Sequence, residues 1–531
     1  MSTLSKINLT LVCAALLCSG CGTLDPDTAN PGAGKAEPFD VSNSVGLLHP
    51  ALASANYQYY YPQMSSGESD ETPFASSWWA MYKGGVAYRW QGDTTLWDVA
   101  DKDALTIVAD TNLENLAPTE KYDLLFHANR TQWADCAGRV VDKNGKGLAD
   151  WNDFIDKRDK GEAYCASWAY ADWNDQYDRI KRVREQARLA GDYWSYDNDD
   201  HWPTTSPSTT RIVQVAGPAT QWELLNHGPF GSVSTEGWFG HCNGWAAYVS
   251  AEPNAYPRRS VRVKIVNGKI TECLEGDTSA DCMTFRKGDI EGLMTEVYFQ
   301  ANSSLIGGRC EQTDTEAELD KFGRYKAAEC RDLNPATFHI ALVGLLGYGV
   351  AEPGETARHR LSFVADVSTG QAVWNYPILS YQVAEQKELN RKQAVALLIA
   401  DVDQDALKRK ERRRYVLNKD AKRFIHIKMN YRTRSTASGT IALNTTADAR
   451  YASASDRSME YLLELDSDSR ILGGEWLGGS KTSHPDFTWL ARAPRDMLPD
   501  PTGADNPWIA YENVKALLDC ANDAATCAPL N

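Results

Sequence analysis

The spacing of apolar and polar residues predicts helices in the first part of the chain. Residues 122–126 and 177–189 place apolar side chains at helical intervals, and the second stretch carries many charges on its other face. Because similar spacing recurs, with breaks, from residue 46 to residue 205, we predict a helical N-terminal region over 46–205.

Short apolar runs bounded by turn residues predict strands in the later part of the chain. These runs are residues 261–266, 338–344, 361–367, 372–377, 424–429 and 461–466. The third and fourth runs are close enough to form a hairpin, and the run 338–344 has the composition of a buried strand. Helices are predicted after Cys242, from about residue 288, and over the charged stretch 382–414. The overall pattern is that of an α+β protein.

The start of the chain has the composition of an export signal. Lys6 precedes an apolar run over residues 7–17, which is too short to remain as a membrane span. Small residues before Cys21 resemble a bacterial lipoprotein box, so we expect lipidation of Cys21 after removal of residues 1–20. Residues 21–45 are rich in Pro, Gly, Ala and Asp and predict a flexible tether. The expected location is a membrane-anchored lipoprotein at the cell envelope, with simple secretion as the alternative.

The net charge of the chain disfavours some classes of binding partner. The formal net charge is −16, which disfavours binding to nucleic acid and to anionic lipid headgroups. The sequence contains no clear signal for an oligomeric state.

The cysteines single out one residue. Twelve are present, and removal of Cys13, Cys18 and Cys21 with the export and lipid segment leaves nine. Eight pair most simply with their neighbours along the chain, as Cys136–Cys165, Cys273–Cys282, Cys310–Cys330 and Cys520–Cys527. In an oxidising compartment the remaining Cys242 is a liability unless its reactivity is used, so we predict it to be a nucleophile.

The residues around Cys242 favour this interpretation. Cys242 lies between Gly240 and Gly244 and begins a run whose apolar spacing predicts a helix. Backbone amides and the helix dipole lower the pKa of a thiol at such a position. A buried structural cysteine is compatible with the same stretch taken alone.

A cysteine nucleophile requires a base, and the base requires an orienting group. His339 lies in the apolar run 338–344 and is the candidate base, although a histidine there is also compatible with a purely structural role. Asp366 is the candidate orienting residue, with Asn375 as the alternative. The order Cys, His, then Asp or Asn is that of papain-like enzymes and transglutaminases.

Other residues are candidates for the walls of the same site. Gln221 is a candidate oxyanion donor, His241 a candidate wall of the cleft, and Trp238 and Trp245 are candidates for excluding water. His227, in a loop, is a candidate substrate contact.

Residues 142–153 resemble a calcium-binding loop. Asp142, Asn144, Asp150 and Asp153 occupy positions that supply oxygen ligands in such loops, and Gly147 occupies the turn. Lys146 places a cation at a ligand position, and an Asn-Gly turn between helices is the alternative.

Several motifs resemble the transglutaminase elicitor family of oomycete plant pathogens and marine bacteria. They are Gly240-His241-Cys242-Asn243-Gly244-Trp245, the segment from Cys330 to His339, Val373-Trp374-Asn375-Tyr376-Pro377, Gly473-Gly474-Glu475-Trp476 with His484-Pro485-Asp486, and the N-terminal segments 74–79 and 121–123. The resemblance implies a papain-like transglutaminase core that crosslinks protein glutamine to lysine and needs no cofactor for the chemistry, with calcium as a possible ligand. Because Tyr376 and residues 378–380 depart from the family's elicitor segment, elicitor activity does not follow.

The resemblance assigns Cys242 as nucleophile, His339 as base and Asp366 as orienting residue. The catalytic core is then expected over 206–390, and residues 391–531 are expected to form a β-rich region that completes it. The expected reaction is transfer of a glutamine acyl group to a primary amine through a Cys242 thioester. A papain-like protease or a cell-wall amidase, which would hydrolyse the same acyl-enzyme, is the alternative. A non-catalytic surface protein is favoured only if Cys242 forms a disulfide.

Overall fold

A computed structural model describes most of the chain outside its N-terminal segment and one long internal stretch. The described residues are 44–53, 65–92, 97–101, 104–107, 113–127, 218–227, 237–279, 281–299, 305–310, 319–327, 329–352, 354–402, 417–436, 447–491, 506 and 508–529. All structural statements below concern these residues.

Helices and strands alternate irregularly along the chain. The helices are α1 (Pro50–Ala53), α2 (Pro118–Phe126), α3 (Pro218–Asn226), α4 (Cys242–Ala251), α5 (Lys287–Val297), α6 (Pro335–Ala341), α7 (Arg391–Leu398), α8 (Ala447–Ala452) and α9 (Tyr511–Asn522). The strands are β1 (Ser66–Glu68), β2 (Trp97–Asp101), β3 (Ala104–Ile107), β4 (Val261–Val266), β5 (Lys269–Glu272), β6 (Met283–Phe285), β7 (Ile306–Gly307), β8 (Phe363–Asp366), β9 (Asn375–Leu389), β10 (Arg423–Arg434), β11 (Ala454–Leu465), β12 (Ile471–Trp476) and β13 (Phe487–Trp489). The predicted α+β class is therefore confirmed.

An eight-stranded antiparallel sheet dominates the described structure. Its strand order is β12-β11-β10-β9-β8-β13-β7, and β1 pairs with β9 beside β8. The sheet takes strands from all three predicted regions, since β1 precedes residue 206 and β10 to β13 follow residue 390. Two small sheets, β2-β3 and β5-β4-β6, complete the β-structure described.

The sheet separates two hydrophobic cores. Alternation along β8 sends Val364 into a first core with α2, α4, α5 and α9, and it sends Phe363 and Ala365 into a second core with α6. Helix α4 contacts β8 and β9 on the first side, and α6 contacts β11 and β12 on the second. Residues that lie on α4 and α6 are consequently on opposite faces of the sheet.

The prediction of a strand over residues 338–344 is wrong, because these residues are helical. Asn334 caps α6 by accepting a hydrogen bond from the backbone N–H of Ala336 (2.9 Å), and Pro335 occupies the first helical position. A π-helix over Leu342–Tyr348 continues the segment. Since every residue of α6 is buried, no polar face reveals the helical period in the sequence.

The predicted helix over 382–414 is wrong in its first part, which belongs to strand β9. Residues 384–388 are exposed there, so their charges lie on a solvated end of the sheet. The helix begins only at Arg391, behind the Asn390 cap. The hairpin of β8 and β9 and the strands β4, β10 and β11 agree with prediction, as do helices α4 and α5.

The predicted helical N-terminal region is only partly helical in the segments described. Helix α2 includes the predicted stretch 122–126, but β1, β2 and β3 also lie before residue 205. The predicted helix over 177–189 lies outside the described residues. In the part of the chain that the structure describes, no helix has the length and apolar composition needed to span a bilayer.

Candidate active site

Cys242 is the first residue of α4, as predicted. His241 occupies the N-cap position, and the Cys242 side chain is buried. The thiol donates a hydrogen bond to the carbonyl oxygen of Val373, 3.8 Å away, just before β9. The three predicted disulfides Cys273–Cys282, Cys310–Cys330 and Cys520–Cys527 are present, and Cys242 is a free thiol. Cys136 and Cys165 lie outside the described residues.

Asn375 forms hydrogen bonds to the Cys242 sulfur. Burial raises the pKa of the thiol to about 11, whereas the backbone and side chain of Asn375 and the backbone of Asn243 donate hydrogen bonds to the sulfur and lower the pKa. The Asn375 side-chain oxygen accepts a hydrogen bond from the Trp489 indole (3.0 Å), which leaves its amide group for the sulfur. Asn375, predicted as an alternative orienting residue, therefore lies at the thiol itself.

Asp366 is adjacent to this pair because the hairpin register places it opposite Asn375. Its Oδ1 accepts hydrogen bonds from Ser368 N, Ser368 Oγ and Trp374 N at 3.1, 2.8 and 2.9 Å. Its Oδ2 is buried and accepts no hydrogen bond from the described residues. Burial raises the pKa of Asp366 to about 6, against the lowering effect of these donors and of Arg309. The carboxylate in turn acts on the thiol electrostatically and raises its pKa.

His339 lies on the other face of the sheet. It is buried on α6, in the second core, and its Nδ1 lies 2.8 Å from the Tyr461 hydroxyl on β11. Cys242 forms hydrogen bonds with Val373, Asn243 and Asn375 and interacts electrostatically with Asp366 and Tyr376. The structure thus brings Cys242, Asp366 and Asn375 together and places His339 apart from them.

The structure describes the side chains of Trp238 and Trp245, which were predicted to line the active site, but not that of Gln221. Trp238 is half-buried, and the Arg309 guanidinium lies 5.5 Å from its ring centroid. Trp245 is fully buried in the first core, 6.0 Å from the Tyr376 ring. Gln221 lies on α3, and its side chain is outside the described residues, as are the candidate calcium ligands Asp142, Asn144, Asp150 and Asp153 and the candidate lipidation site Cys21.

A tryptophan missed as a site residue braces the loop before Cys242. The Trp78 carbonyl accepts a hydrogen bond from His241 N (2.6 Å), and the Trp78 ring lies 5.7 Å from that of Trp374. Gly240 packs so closely on Trp78 that any Cβ there would overlap both its ring and its carbonyl oxygen. The segment 74–79 was singled out by resemblance, but nothing in its spacing indicated this contact.

The fit between Gly240 and Trp78 predicts a stability effect. Gly240→Ala should destabilise the protein by about 1–3 kcal/mol, because the new methyl group forces the loop away from Trp78. Gly479→Ala is the matched control, since a Cβ at this exposed glycine meets no atom within 4 Å. Urea unfolding measures both, and equal changes in the two variants would contradict the prediction.

His241 points away from the thiol into a second polar cluster. Its Nδ1 lies 3.1 Å from the Trp79 carbonyl oxygen, and its Nε2 lies 3.0 Å from Glu223 and 2.9 Å from Glu296. Burial lowers the pKa of His241, but the two carboxylates outweigh it and raise the pKa to about 9. His227 completes the cluster, 3.2 Å from His241. The structure directs the His241 ring to this cluster. Its predicted role as a wall of the active site stays a prediction.

Comparison with known proteins finds a family model that matches part of the chain. The sequence model of the transglutaminase elicitor family, described as "Transglutaminase elicitor", matches residues 268–524. This match agrees with the family that the motifs resemble and covers just under half of the chain. The matched region includes Asp366 and Asn375 and begins after Cys242.

A solved structure is similar over most of the chain. The crystal structure of the GP42 transglutaminase from Phytophthora sojae shares 20% sequence identity and has a TM-score of 0.48. The similarity covers 92% of this chain and 99% of that one. Comparison with curated proteins finds no match. The match to the family model supports a transglutaminase-like role.

Proposed function

We propose that the protein is a protein-glutamine γ-glutamyltransferase that uses Cys242 as its nucleophile. The observation that carries the proposal is a free, buried thiol at the start of a helix, beside Asn375 and Asp366, in a protein whose other described cysteines form disulfides. A lone reactive cysteine is costly to keep in a disulfide-forming protein unless its chemistry is used. The family match over 268–524 supports acyl transfer as that chemistry.

The first half-reaction forms a thioester. The Cys242 sulfur attacks the side-chain carbonyl carbon of a substrate glutamine, a C–S bond forms, and the C–N bond breaks to release ammonia. The proton leaves the thiol and finally resides on the departing nitrogen. Amide donors of Asn243 and Asn375 that face the sulfur are positioned to stabilise negative charge there.

The second half-reaction transfers the acyl group to an amine. A deprotonated lysine side chain attacks the thioester carbon, an isopeptide C–N bond forms, and the thiolate leaves. The aromatic side chains of Trp78 and Trp374 beside the loop and hairpin reduce the access of water, which favours the amine. The proposed partners are therefore proteins that present glutamine and lysine side chains.

Asp366 is the proposed proton carrier in both half-reactions. Its Oδ2 is the buried polar atom near the thiol that accepts no hydrogen bond from the described residues. The carboxylate takes the thiol proton and passes it to the leaving ammonia. It later accepts a proton from the attacking amine and returns it to the departing Cys242 sulfur. His339 on α6 and Cys242 on α4 lie on opposite sides of the sheet. The role of His339 as base therefore rests on the sequence prediction alone.

Paired variants test this assignment. Asp366→Asn should lower amine incorporation by about 10²–10⁴-fold, the usual range for loss of a general acid–base group, and should remove an acid limb of kcat/KM near pH 6. The limb is expected because Asp366 accepts a proton only when ionised, that is, above this pH. His339→Gln should change the rate much less when activity is normalised to folded protein. A large loss in His339→Gln with a small one in Asp366→Asn would instead support the histidine as base.

A double readout tests the reaction class. The full mature chain is incubated with a glutamine-bearing protein and a labelled primary amine, and incorporated label and released ammonia are both measured. The proposal predicts that label and ammonia rise together. Ammonia release without incorporation would overturn transfer in favour of hydrolysis, and the absence of both would overturn the proposed function.

A further inference from the structure

A buried cluster of two histidines and two glutamates lies beside the loop that carries Cys242. Glu223 and His227 project from α3 and its C-terminal end, His241 precedes α4, and Glu296 lies near the end of α5. Glu223, His241 and Glu296 are at most 1% exposed, and His227 is 7% exposed. One ligand atom from each of the four lies within 4.8 Å of the others.

The separations between polar atoms of these side chains lie near those of ligands around a small tetrahedral ion, with both oxygens of each carboxylate close to a histidine nitrogen. Around His241 Nε2 they are 3.0 Å to Glu223 Oε1, 2.9 Å to Glu296 Oε2 and 3.2 Å to His227 Nδ1. From His227 Nδ1 they are 3.3 Å to Glu223 Oε2 and 3.6 Å to Glu296 Oε1. Ligands about 2.0–2.1 Å from a tetrahedral Zn²⁺ lie roughly 3.3–3.4 Å from one another.

The protonation pattern also fits a metal ligand. The Trp79 carbonyl can only accept a hydrogen bond, so the 3.1 Å contact places a proton on Nδ1 of His241. The Nε2 atom, which faces two carboxylates, then carries either a second proton or a metal ion. Metal-bound histidines show this same arrangement, with one nitrogen donating to a carbonyl and the other on the metal.

Glu296 supplies an independent observation. Its side chain is 1% exposed, and neither of its carboxylate oxygens accepts a well-aligned hydrogen bond from the residues that the structure describes. A buried carboxylate in this state requires a cation to compensate its charge, and either a protonated His241, 2.9 Å away, or a metal ion in the cluster supplies one. The backbone N–H of Val86 donates to Glu223 Oε1 (2.8 Å) and thereby orients the other acid.

The surrounding backbone leaves room for this geometry. Gly85 lies against the cluster, and any Cβ there would overlap Glu223 Oε1 and crowd the His241 ring. Its φ of +58° is also one that favours glycine.

We propose that Glu223, His227, His241 and Glu296 bind a structural divalent transition-metal ion, for which Zn²⁺ has the matching ligand set and size. Four protein ligands leave no open position, so the ion holds the structure together and does not act on substrate. It joins α3 and α5 to the residue that precedes Cys242 and thereby fixes the start of α4. This role is separate from the proposed acyl transfer and does not depend on it.

Metal analysis of the purified full chain tests the site directly. Protein produced with Zn²⁺ in the medium and then desalted should contain one equivalent of zinc. Co²⁺ added to metal-depleted protein should give the visible absorption of tetrahedral cobalt. The proposal is overturned if the wild-type protein is isolated without zinc and gives no Co²⁺ spectrum. The cluster would then be stabilised by protonation of its histidines.

Variants identify the ligands. Glu296→Gln and His227→Gln should each weaken Zn²⁺ binding by more than the roughly 10–100-fold expected when only a supporting residue is removed. His426→Gln is the matched control, because this histidine lies 2.7 Å from Glu460 at a different place on the sheet, and it should retain zinc. Zinc retained at full affinity in both cluster variants would overturn the assignment.

A chelator experiment separates the metal from the effects of substitution. 1,10-Phenanthroline should lower the Tm of wild-type protein, whereas the non-chelating 1,7 isomer should not. If the chelator removes the zinc and the Tm does not change, the structural role is overturned. Because metal content and Tm do not depend on catalysis, these outcomes are distinguishable from failure of the proposed function.

Discussion

Cys242→Ala should reduce amine incorporation by at least about 10³-fold, because no other described residue supplies a free thiol in place of the nucleophile. The rate of labelled-amine incorporation into a glutamine-bearing protein measures the effect. The substitution removes one sulfur atom from a buried position, so a small loss of stability is expected as well.

A matched variant separates the loss of chemistry from the loss of structure. Asn243→Ala changes the neighbouring residue, whose half-buried side chain donates to the Phe299 carbonyl and not to the thiol. It should retain measurable incorporation, since its backbone N–H still faces the sulfur. Retained incorporation in folded Cys242→Ala would exclude Cys242 as the nucleophile.

Lys121→Met should lower the free energy of unfolding by about 3–5 kcal/mol. The Lys121 ammonium lies 2.6 Å from Asp289, and both side chains are fully buried. Removal of the lysine leaves a buried carboxylate without a counter-charge, which is the costly case for buried ion pairs. The Trp90 indole, 2.7 Å from Asp289, can donate a hydrogen bond but cannot supply the missing charge. Denaturant unfolding of the full chain measures the change.

Lys428→Met is the control for this effect. Lys428 pairs with Glu385 at 3.0 Å, but both side chains are almost half exposed and solvent screens the pair, so the loss of stability should be much smaller than in Lys121→Met. Similar losses in the two variants would show that burial does not control the strength of the Lys121 pair.

The free thiol of Cys242 and the hairpin beside it were predictable from sequence because their signals are local. Cys242 lies between glycines at the start of an apolar helix and is left over when neighbouring cysteines are paired. The predicted hairpin carries Asp366 and Asn375 on paired strands, and this pairing places both near the thiol. The three disulfides described also connect cysteines that are neighbours along the chain, and they are consistent with an exported protein.

The position of His339 was not predictable in the same way. Its run is apolar throughout, and such a run fits a buried strand or a buried helix equally well when no polar face marks the period. The Asn334-Pro335 pair before it is a helix-start signal that favours the observed helix. Which face of the sheet α6 covers depends on tertiary packing, which no local pattern specifies.

The histidine and glutamate cluster illustrates a third situation. Its residues come from three separate segments between 223 and 296, so their convergence follows only from the packing of α3, α4 and α5. The one local signal is the four-residue spacing of Glu223 and His227, which places both on one side of a helical turn. The strand over residues 382–389 was also missed from the sequence. Its charged residues lie at an exposed end of a long strand, so they do not alternate with buried apolar residues as a half-buried strand does.

The most direct test of the central claim is detection of the acyl-enzyme. The protein is mixed with a glutamine-bearing peptide in the absence of amine, quenched in acid, digested, and analysed by mass spectrometry. The account predicts an adduct on the peptide that contains Cys242, with the mass of the substrate less ammonia, and its disappearance after a primary amine is added. An adduct on another residue, or turnover of glutamine with the Cys242 thiol unmodified and freely alkylated throughout, would contradict it.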